Sequence, residues 1–396
     1  MTKIYILGEN SFLAKNFYLY LKKLHHQIFL ISHNDINKLI NIKDDDVIIN
    51  FCGVNRSDTW EKYNGGNYLF LRTILNKIID TSPFFIHISS IMVHGFEKKK
   101  NEDLSDTRQW FIKSKLLGEN FIRNNYPENK LCIVRPANIY GYNCIPYYNN
   151  LLSTLVYEKI NKLEKINKIN KNCIRNFLSV QNFTIQLHKL LKNRSSGNYN
   201  IMSSNNINLE TLVDYIYDHV PLHIEFIDGE HDIINISNDT ISGINIIVKE
   251  DIGIEIKKLE ENMKGYLELK GRITHNLLNK LSQSRGDMVE ISALNSKRLY
   301  KITLTTHAVR GNHFHYKQTE EFFTNKGKVL YLLSHKETSE IVYIIKSIDN
   351  YLLTIPPNII HTLTNDYVDN VPDIIISSTQ EYIQDEIPDT KYINII

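Results

Sequence analysis

The chain has 396 residues, 42% of them hydrophobic, and a formal net charge of +2. That length favours two or three domains with real cores, and the near-balanced charge argues against nucleic acid or an anionic membrane surface as a partner. The four cysteines, Cys52, Cys132, Cys144 and Cys173, form no C-x-x-C pair, which speaks against a disulfide framework and for a reducing, cytoplasmic setting. The N-terminus shows no basic stretch followed by an apolar run, and no apolar run approaches the roughly 18–20 residues of a membrane span.

Ile4–Leu7 reads as a short buried strand, followed by the turn Gly8-Glu9-Asn10-Ser11. An amphipathic helix follows, with Leu13, Phe17, Leu21 and Leu24 expected on one face. A strand, a glycine turn and a helix N-terminus form an anion site for a pyrophosphate, with Gly8, Ser11, Phe12 and Ala14 as its residues. Ser11 and Ala14 stand where a G-x-x-G-x-x-G fingerprint has its second and third glycines. Gln27–Ser32 is the next strand and ends Ser32-His33 without an acidic residue. An acid at that place usually meets the ribose of NAD, so its absence leans towards NADPH.

Asp46–Phe51, Phe84–Ser89 and Leu131–Val134 read as further strands, with helical patterns between them. They run into Gly53-Val54-Asn55-Arg56, Ser89-Ser90-Ile91-Met92-Val93-His94-Gly95 and Arg135-Pro136-Ala137-Asn138-Ile139-Tyr140-Gly141. Strand–helix alternation of this kind argues for a parallel, doubly wound α/β sheet with its site at the strands' carboxyl ends. Lysines recur at every third position from Lys159 to Lys171, which reads as a solvated face. Gln181–Lys192 and Asn208–Tyr217 are helix patterns. Leu222–Arg272 carries no motif and reads as an irregular connector with a charged helix over Ile256–Tyr266.

The pattern then turns to short strands: Met288–Ser292, Leu299–Thr305, Lys328–Ser334, Ile341–Ile345 and Leu352–Ile355, a barrel or jelly-roll signature. Within it His313 and His315 are two residues apart, so on a strand both imidazoles face one way. Glu320 and the distant His361 complete a mixed N/O set that suits a divalent transition metal.

The run Arg310–Gly327 and the run from Pro356 to Asn365 resemble the cupin motifs G-x5-H-x-H-x(3,4)-E-x6-G and P-x-G-x2-H-x3-N. His307 and Asn358 replace the two glycines that those motifs place in turns. GVNR, SSIMVHG, KSKLLGEN and RPANIYG are similar to the extended short-chain dehydrogenase/reductases. GVNR ahead of Gly66-Asn67, read as a helix start, resembles more narrowly the CapF-type enzymes of capsular sugar synthesis, which join such a reductase to a C-terminal cupin.

The resemblance implies a reductase domain over residues 1–272 and a cupin over 273–396, in a homodimer. It implies Ser90 and Lys115 in catalysis, with Phe111 in the slot of the proton-donating tyrosine. Gly53 and Lys115 join Gly8, Ser11, Phe12, Ala14, Ser32 and His33 in holding NADPH, and Asn55, Asn138 and Arg175 meet the substrate. The implied chemistry is C3 epimerisation of a UDP-linked 4-keto-6-deoxy-N-acetylhexosamine in the cupin, with zinc, and C4 reduction in the first domain. His313, His315, Glu320 and His361 are the implied ligands; the set alone would also take iron, manganese or nickel. Phe111 leaves open an epimerase alone, and the pattern also leaves open a non-catalytic sugar-binding protein.

Overall fold

The computed structural model describes residues 2–39, 41–94, 106–229, 243–278, 280–283, 286–289, 297–338, 340–379, 389–393 and 395–396. Gly95 and residues 290–292, which carry part of one motif and the end of one expected strand, lie outside them. The chain divides into two compact units, Met1–Glu261 and Asn262–Ile396. None of the described helices is long and apolar enough to cross a membrane.

The first unit contains strands β1 (Ile4–Leu7), β2 (Ile28–Ile31), β3 (Val47–Asn50), β4 (Phe84–Ile88), β5 (Leu131–Pro136), β6 (Asn138–Tyr140), β7 (Asn167–Asn170), β8 (Ile174–Ser179), β9 (Gly197–Ser203), β10 (Asn206–Asn208), β11 (Ile224–Ile227) and β12 (Ile244–Val248). Seven of them form one sheet in the order β12-β9-β5-β4-β3-β1-β2, and every pairing in it is parallel. β1, β3 and β4 are buried along their whole length. Burial on both faces explains why they read as continuous apolar runs and not as alternating ones. The strand order reverses between β1 and β3, and the crevice at their carboxyl ends is where such a sheet binds ligands.

Three expectations change. The helix Phe12–Lys23 buries Phe12, Ala14, Phe17, Tyr18 and Leu21; Leu13 is half-buried and Leu24, past the helix end, is exposed. Gly66-Asn67 is not a helix start. The helix begins at Trp60, where Thr59 accepts the Lys62 N–H, and continues through a π-helical turn, Gly65–Leu69, into Phe70–Lys77. The stretch Leu222–Arg272 is not irregular: β11 pairs with β7, β12 adds an edge strand parallel to β9, and one helix spans Ile252–Arg272. β12 is only half-buried, and its Ile and Asn residues follow no strict alternation, so the sequence carries no clean strand period there.

The helix Asp106–Asn125 brings Phe111 and Lys115 to the crevice. It packs tightly against the π turn: a Cβ on Gly118 would stand 2.7 Å from the Asn67 carbonyl oxygen. The Asn67 side chain donates to Val54 O and Ser114 Oγ and accepts from Val54 N–H, tying that turn to the loop after β3. Below, Glu119 is fully buried and takes two bonds from Arg135 of β5, at 2.9 and 2.6 Å. Burial pushes the Glu119 carboxyl up, but the Arg135 bonds outweigh it and hold it below the ordinary carboxylate range.

The second unit contains β13 (Thr274–Leu277), β14 (Lys280–Gln283), β15 (Gly286–Val289), β16 (Arg298–Thr303), β17 (Val309–His315), β18 (Glu320–Lys326), β19 (Val329–His335), β20 (Ile341–Ser347), β21 (Tyr351–Ile355), β22 (Ile359–Thr364), β23 (Asp373–Ser378) and β24 (Thr390–Tyr392). Two five-stranded antiparallel sheets run β13-β21-β18-β23-β16 and β20-β19-β22-β17-β24, with β14 and β15 as a separate antiparallel pair. Phe322, Leu353 and Ile376 from the first sheet share one core with Tyr331, Leu333 and Leu363 from the second. The architecture is the expected one: a parallel α/β sheet followed by an all-β unit.

Glu119→Gln should destabilise the protein by about 3–5 kcal/mol, because it strands a buried guanidinium. Glu119 is a depressed carboxylate, so its contribution is complete above the unfolded value and falls away as pH drops through the folded one. Urea unfolding of parent and variant between neutral and acid pH should show the gap closing on the acid side.

Candidate functional site

A cleft of about 1240 Å³ opens at the carboxyl ends of β1 and β3. Gly8, Ser11, Phe12, His33, Gly53, Asn55, Ser90, Phe111, Lys115, Asn138 and Arg175 all line it. Ala14 and Ser32 do not: both are buried, Ala14 on the face packed inward and Ser32 with its hydroxyl donating to Asp35. Gly8 has φ +84°, and a Cβ there would stand 2.9 Å from Cys52 N, so only glycine lets the turn pass β3's end so closely. Ser11 precedes the helix without a side-chain capping bond, which leaves N–H groups of the first turn to a ligand. This cradle fits a dinucleotide's phosphates.

Lys115 is buried and its ammonium donates to Ile88 O at 3.4 Å. Burial pulls its pKa down to about 8, against the opposing pull of Glu119. Burial pushes the Cys52 thiol up to about 12, helped by Glu9, so it is protonated at neutral pH. Ser90 Oγ accepts the Met92 N–H at 3.2 Å. Asn138 donates to Asn176 O, and Arg175 to Ile174 O, each at 3.0 Å. His94 sits away from the cleft lining, against Asn200 at 3.0 Å and Arg135 at 3.2 Å.

In the all-β unit, His313, His315, Glu320 and His361 each offer a ligand atom, all within 4.8 Å of one another. His313 and His315 come from β17, Glu320 from β18 and His361 from β22, the strand paired to β17 with His313 opposite His361. Glu320 Oε2 lies 3.2 Å from His315 Nε2 and 3.1 Å from His361 Nε2. His361 Nδ1 faces the Ile359 carbonyl at 3.1 Å, so Nδ1 carries a proton and Nε2 is the nitrogen turned towards Glu320. A lone pair facing a carboxylate oxygen needs a proton or a cation between them. Among the described residues, His313 Nδ1 meets no hydrogen-bond partner within bonding geometry.

Burial, then His361 and His315, pulls His313 down to about 4, which keeps it neutral. Burial pushes Glu320 up, but the bonds to His315 and His361 prevail and hold it well below the usual range. Three imidazoles and one carboxylate fit a divalent transition ion.

Sequence reasoning missed the residues that orient this set. Thr390 meets His315 Nδ1 at 2.9 Å, and Tyr300 and Gln318 donate to Glu320 Oε1 at 3.3 and 2.9 Å. Only Gln318, inside the motif, had a positional signal. The two departures from the motif keep its backbone: His307 has φ +64° and Asn358 φ +63°, both in the left-handed region. Asn365 ties Leu304 O and Asn370 O and is a turn residue. Glu321 alternates to the other face and accepts from Ser377.

Elemental analysis of the purified protein should find one divalent ion per chain, and His361→Ala should lose it. Thr390→Val, which removes only an orienting contact, should weaken metal affinity by about 10–100-fold in a chelator competition.

Residues 4–202 match the model of the NAD dependent epimerase/dehydratase family, and residues 281–391 match the polysaccharide biosynthesis C-terminal domain. No curated protein matches the chain. Among solved structures, the chain is similar to the capsular polysaccharide assembling protein CapF from Staphylococcus aureus, with 19% identity over 98% of this chain and 99% of that one, at a TM-score of 0.45. UDP-N-acetylglucosamine 4-epimerase from Bacillus cereus is 14% identical over 67% of this chain and 97% of its own, at 0.50. MoeE5 in complex with UDP-glucose and NAD is 12% identical over 67% and 99%, at 0.54. The chain belongs to the NAD dependent epimerase/dehydratase family, with a polysaccharide biosynthesis domain following its family domain.

Proposed function

We propose that the protein is a two-step nucleotide-sugar enzyme. The all-β unit epimerises C3 of a UDP-linked 2-acetamido-2,6-dideoxy-4-keto-hexose, and the α/β unit then reduces the C4 ketone with NADPH, yielding a UDP-N-acetyl-6-deoxy-L-hexosamine for glycan synthesis. The observation that carries the reading is the convergence of His313, His315, Glu320 and His361 in a chain whose other unit is an epimerase-family domain.

A divalent ion held by those four residues, zinc by resemblance, would polarise the keto oxygen and make the hydrogen on C3 acidic. The chain's own residues prepare the place. The Ile359 carbonyl fixes the His361 tautomer, Thr390 fixes the His315 ring, and Tyr300 and Gln318 occupy Glu320 Oε1 so that Oε2 faces the imidazoles.

In the α/β unit, the cradle at Gly8 and Ser11 would take the nucleotide's phosphates, and a reduced nicotinamide would supply the hydride. The strand Ile28–Ile31 runs into Ser32-His33 with no acid at its end, and His33 lines the cleft, which supports a 2′-phosphate rather than a free ribose hydroxyl. The Arg175 guanidinium lines the same cleft and suits a sugar-nucleotide diphosphate.

Phe111 favours a second reading, epimerisation alone. Loss of a positioned acid costs about 10²–10⁴-fold in rate, or roughly 3–5 kcal/mol of barrier.

The test follows deuterium from solvent into the 4-keto substrate, with and without NADPH. Label should enter C3 without nucleotide, and adding NADPH should start its oxidation. Label without NADPH oxidation selects the epimerase alone. No label and no oxidation leaves a binding protein. His361→Ala should abolish the exchange by 10²-fold or more, on the order expected when a group acting at the proton transfer is removed.

A further inference from the structure

Phe111 leaves the cleft without a phenol at the expected position, but another phenol lies beside it. Tyr63, on the helix Trp60–Asn64, is 3% exposed and lines the cleft. Its ring meets Phe111 edge to face with centroids 6.2 Å apart. Lys115 Nζ lies 6.0 Å from the centroid of the same Phe111 ring. The Tyr63 oxygen accepts the Ser57 N–H at 2.9 Å. That bond uses a lone pair and leaves the hydroxyl hydrogen, which no acceptor takes among the described residues.

A buried tyrosine ordinarily finds a partner for its hydroxyl hydrogen. Packing alone accounts for the Tyr63 ring, and satisfying Ser57 N–H accounts for its oxygen. Neither accounts for an unused donor in a ligand cleft, one ring away from a buried ammonium.

We infer that Tyr63 is the general acid of the C4 reduction, in place of the hydroxyl missing at position 111; this rests on the reductive reading above. As hydride from the reduced nicotinamide reaches the sugar C4, the C=O π pair moves onto oxygen. The Tyr63 O–H bond breaks, and its proton forms the new hydroxyl. The ketone is reduced, the nicotinamide oxidised, and the phenolate recovers a proton from solvent. The Ser57 N–H, donating to the phenol oxygen, stabilises the charge that gathers there.

Three variants test this: Tyr63→Phe, Phe111→Tyr and the double exchange. Tyr63→Phe should lower kcat by about 10²–10⁴-fold with KM nearly unchanged. Phe111→Tyr alone should raise kcat by less than about 10-fold, since an acid is already present, and the double exchange should restore most of the loss. Independently of turnover, calorimetric titration should give Tyr63→Phe the parent's affinity for NADPH, so that the loss of kcat is the loss of a proton donor and not of the bound nucleotide.

An active parent whose Tyr63→Phe variant keeps its kcat, or loses kcat only together with its NADPH affinity, overturns the proposal alone. So does a Phe111→Tyr variant that gains 10²-fold or more, a result that needs no folded Tyr63→Phe protein. A parent that oxidises no NADPH overturns the reductive reading and this proposal with it.

Discussion

The arrangement in the all-β unit depends on one buried carboxylate facing three imidazoles. Glu320 is buried, and a buried charge survives only when something answers it. Its Oε1 is answered by Tyr300 and Gln318, and its Oε2 by His315 and His361. With the His361 tautomer fixed by the Ile359 carbonyl, the second answer is incomplete unless a positive charge sits among the side chains. The surrounding architecture serves that arrangement. β17 and β22 pair so that His313 and His361 stand opposite one another, and β18 delivers the acid from the other sheet.

The α/β unit solves a different problem, carrying a helix to the mouth of a parallel sheet. The helix Asp106–Asn125 holds a buried carboxylate at Glu119 and a buried ammonium at Lys115, on side chains four residues apart. Arg135 neutralises the first with two short bonds and fixes the helix against β5. Among the described residues Lys115 has no such partner: one long bond to a carbonyl holds it, and burial pulls its pKa down to about 8. The same helix thus has a locked end and a labile one, and the labile end faces the cleft. Perturbed groups of this kind gather at functional sites because solvation by water has been replaced by a few fixed contacts.

Local signals were legible in the sequence; signals that require the chain to return were not. β1, β3 and β4 were readable because both faces are buried and every residue is apolar or nearly so. The His313/His315 pair was readable because strand geometry alone puts alternate side chains on one face. Thr390 is separated from His315 by 75 residues, and nothing near it in sequence marks it as an orienting contact. Tyr63 was hidden for the same reason: its relation to Phe111 exists only once two helices pack. β12 was missed because an edge strand can be half-exposed and carry asparagine, so neither period nor apolarity announced it. His307 and Asn358 were read as departures in turns, and both adopt the positive φ that the replaced glycines would favour.

On the proposed reading, the order of the two reactions follows from carbon acidity. The hydrogen on C3 is labile only while C4 is a ketone, because the carbonyl is what accepts the electron pair left behind. Once C4 is an alcohol, C3 is configurationally frozen. Any sugar reduced before it is epimerised is therefore lost to the wrong product, and the ratio of the two rates sets the fidelity. Fidelity on this reading rises as hydride transfer slows relative to exchange at C3. Slow reduction is then no defect in such an enzyme. It gives the C3 proton time to exchange, and selection on product purity would act on the same contacts, at Tyr63, Phe111 and Lys115, that set the rate of hydride transfer.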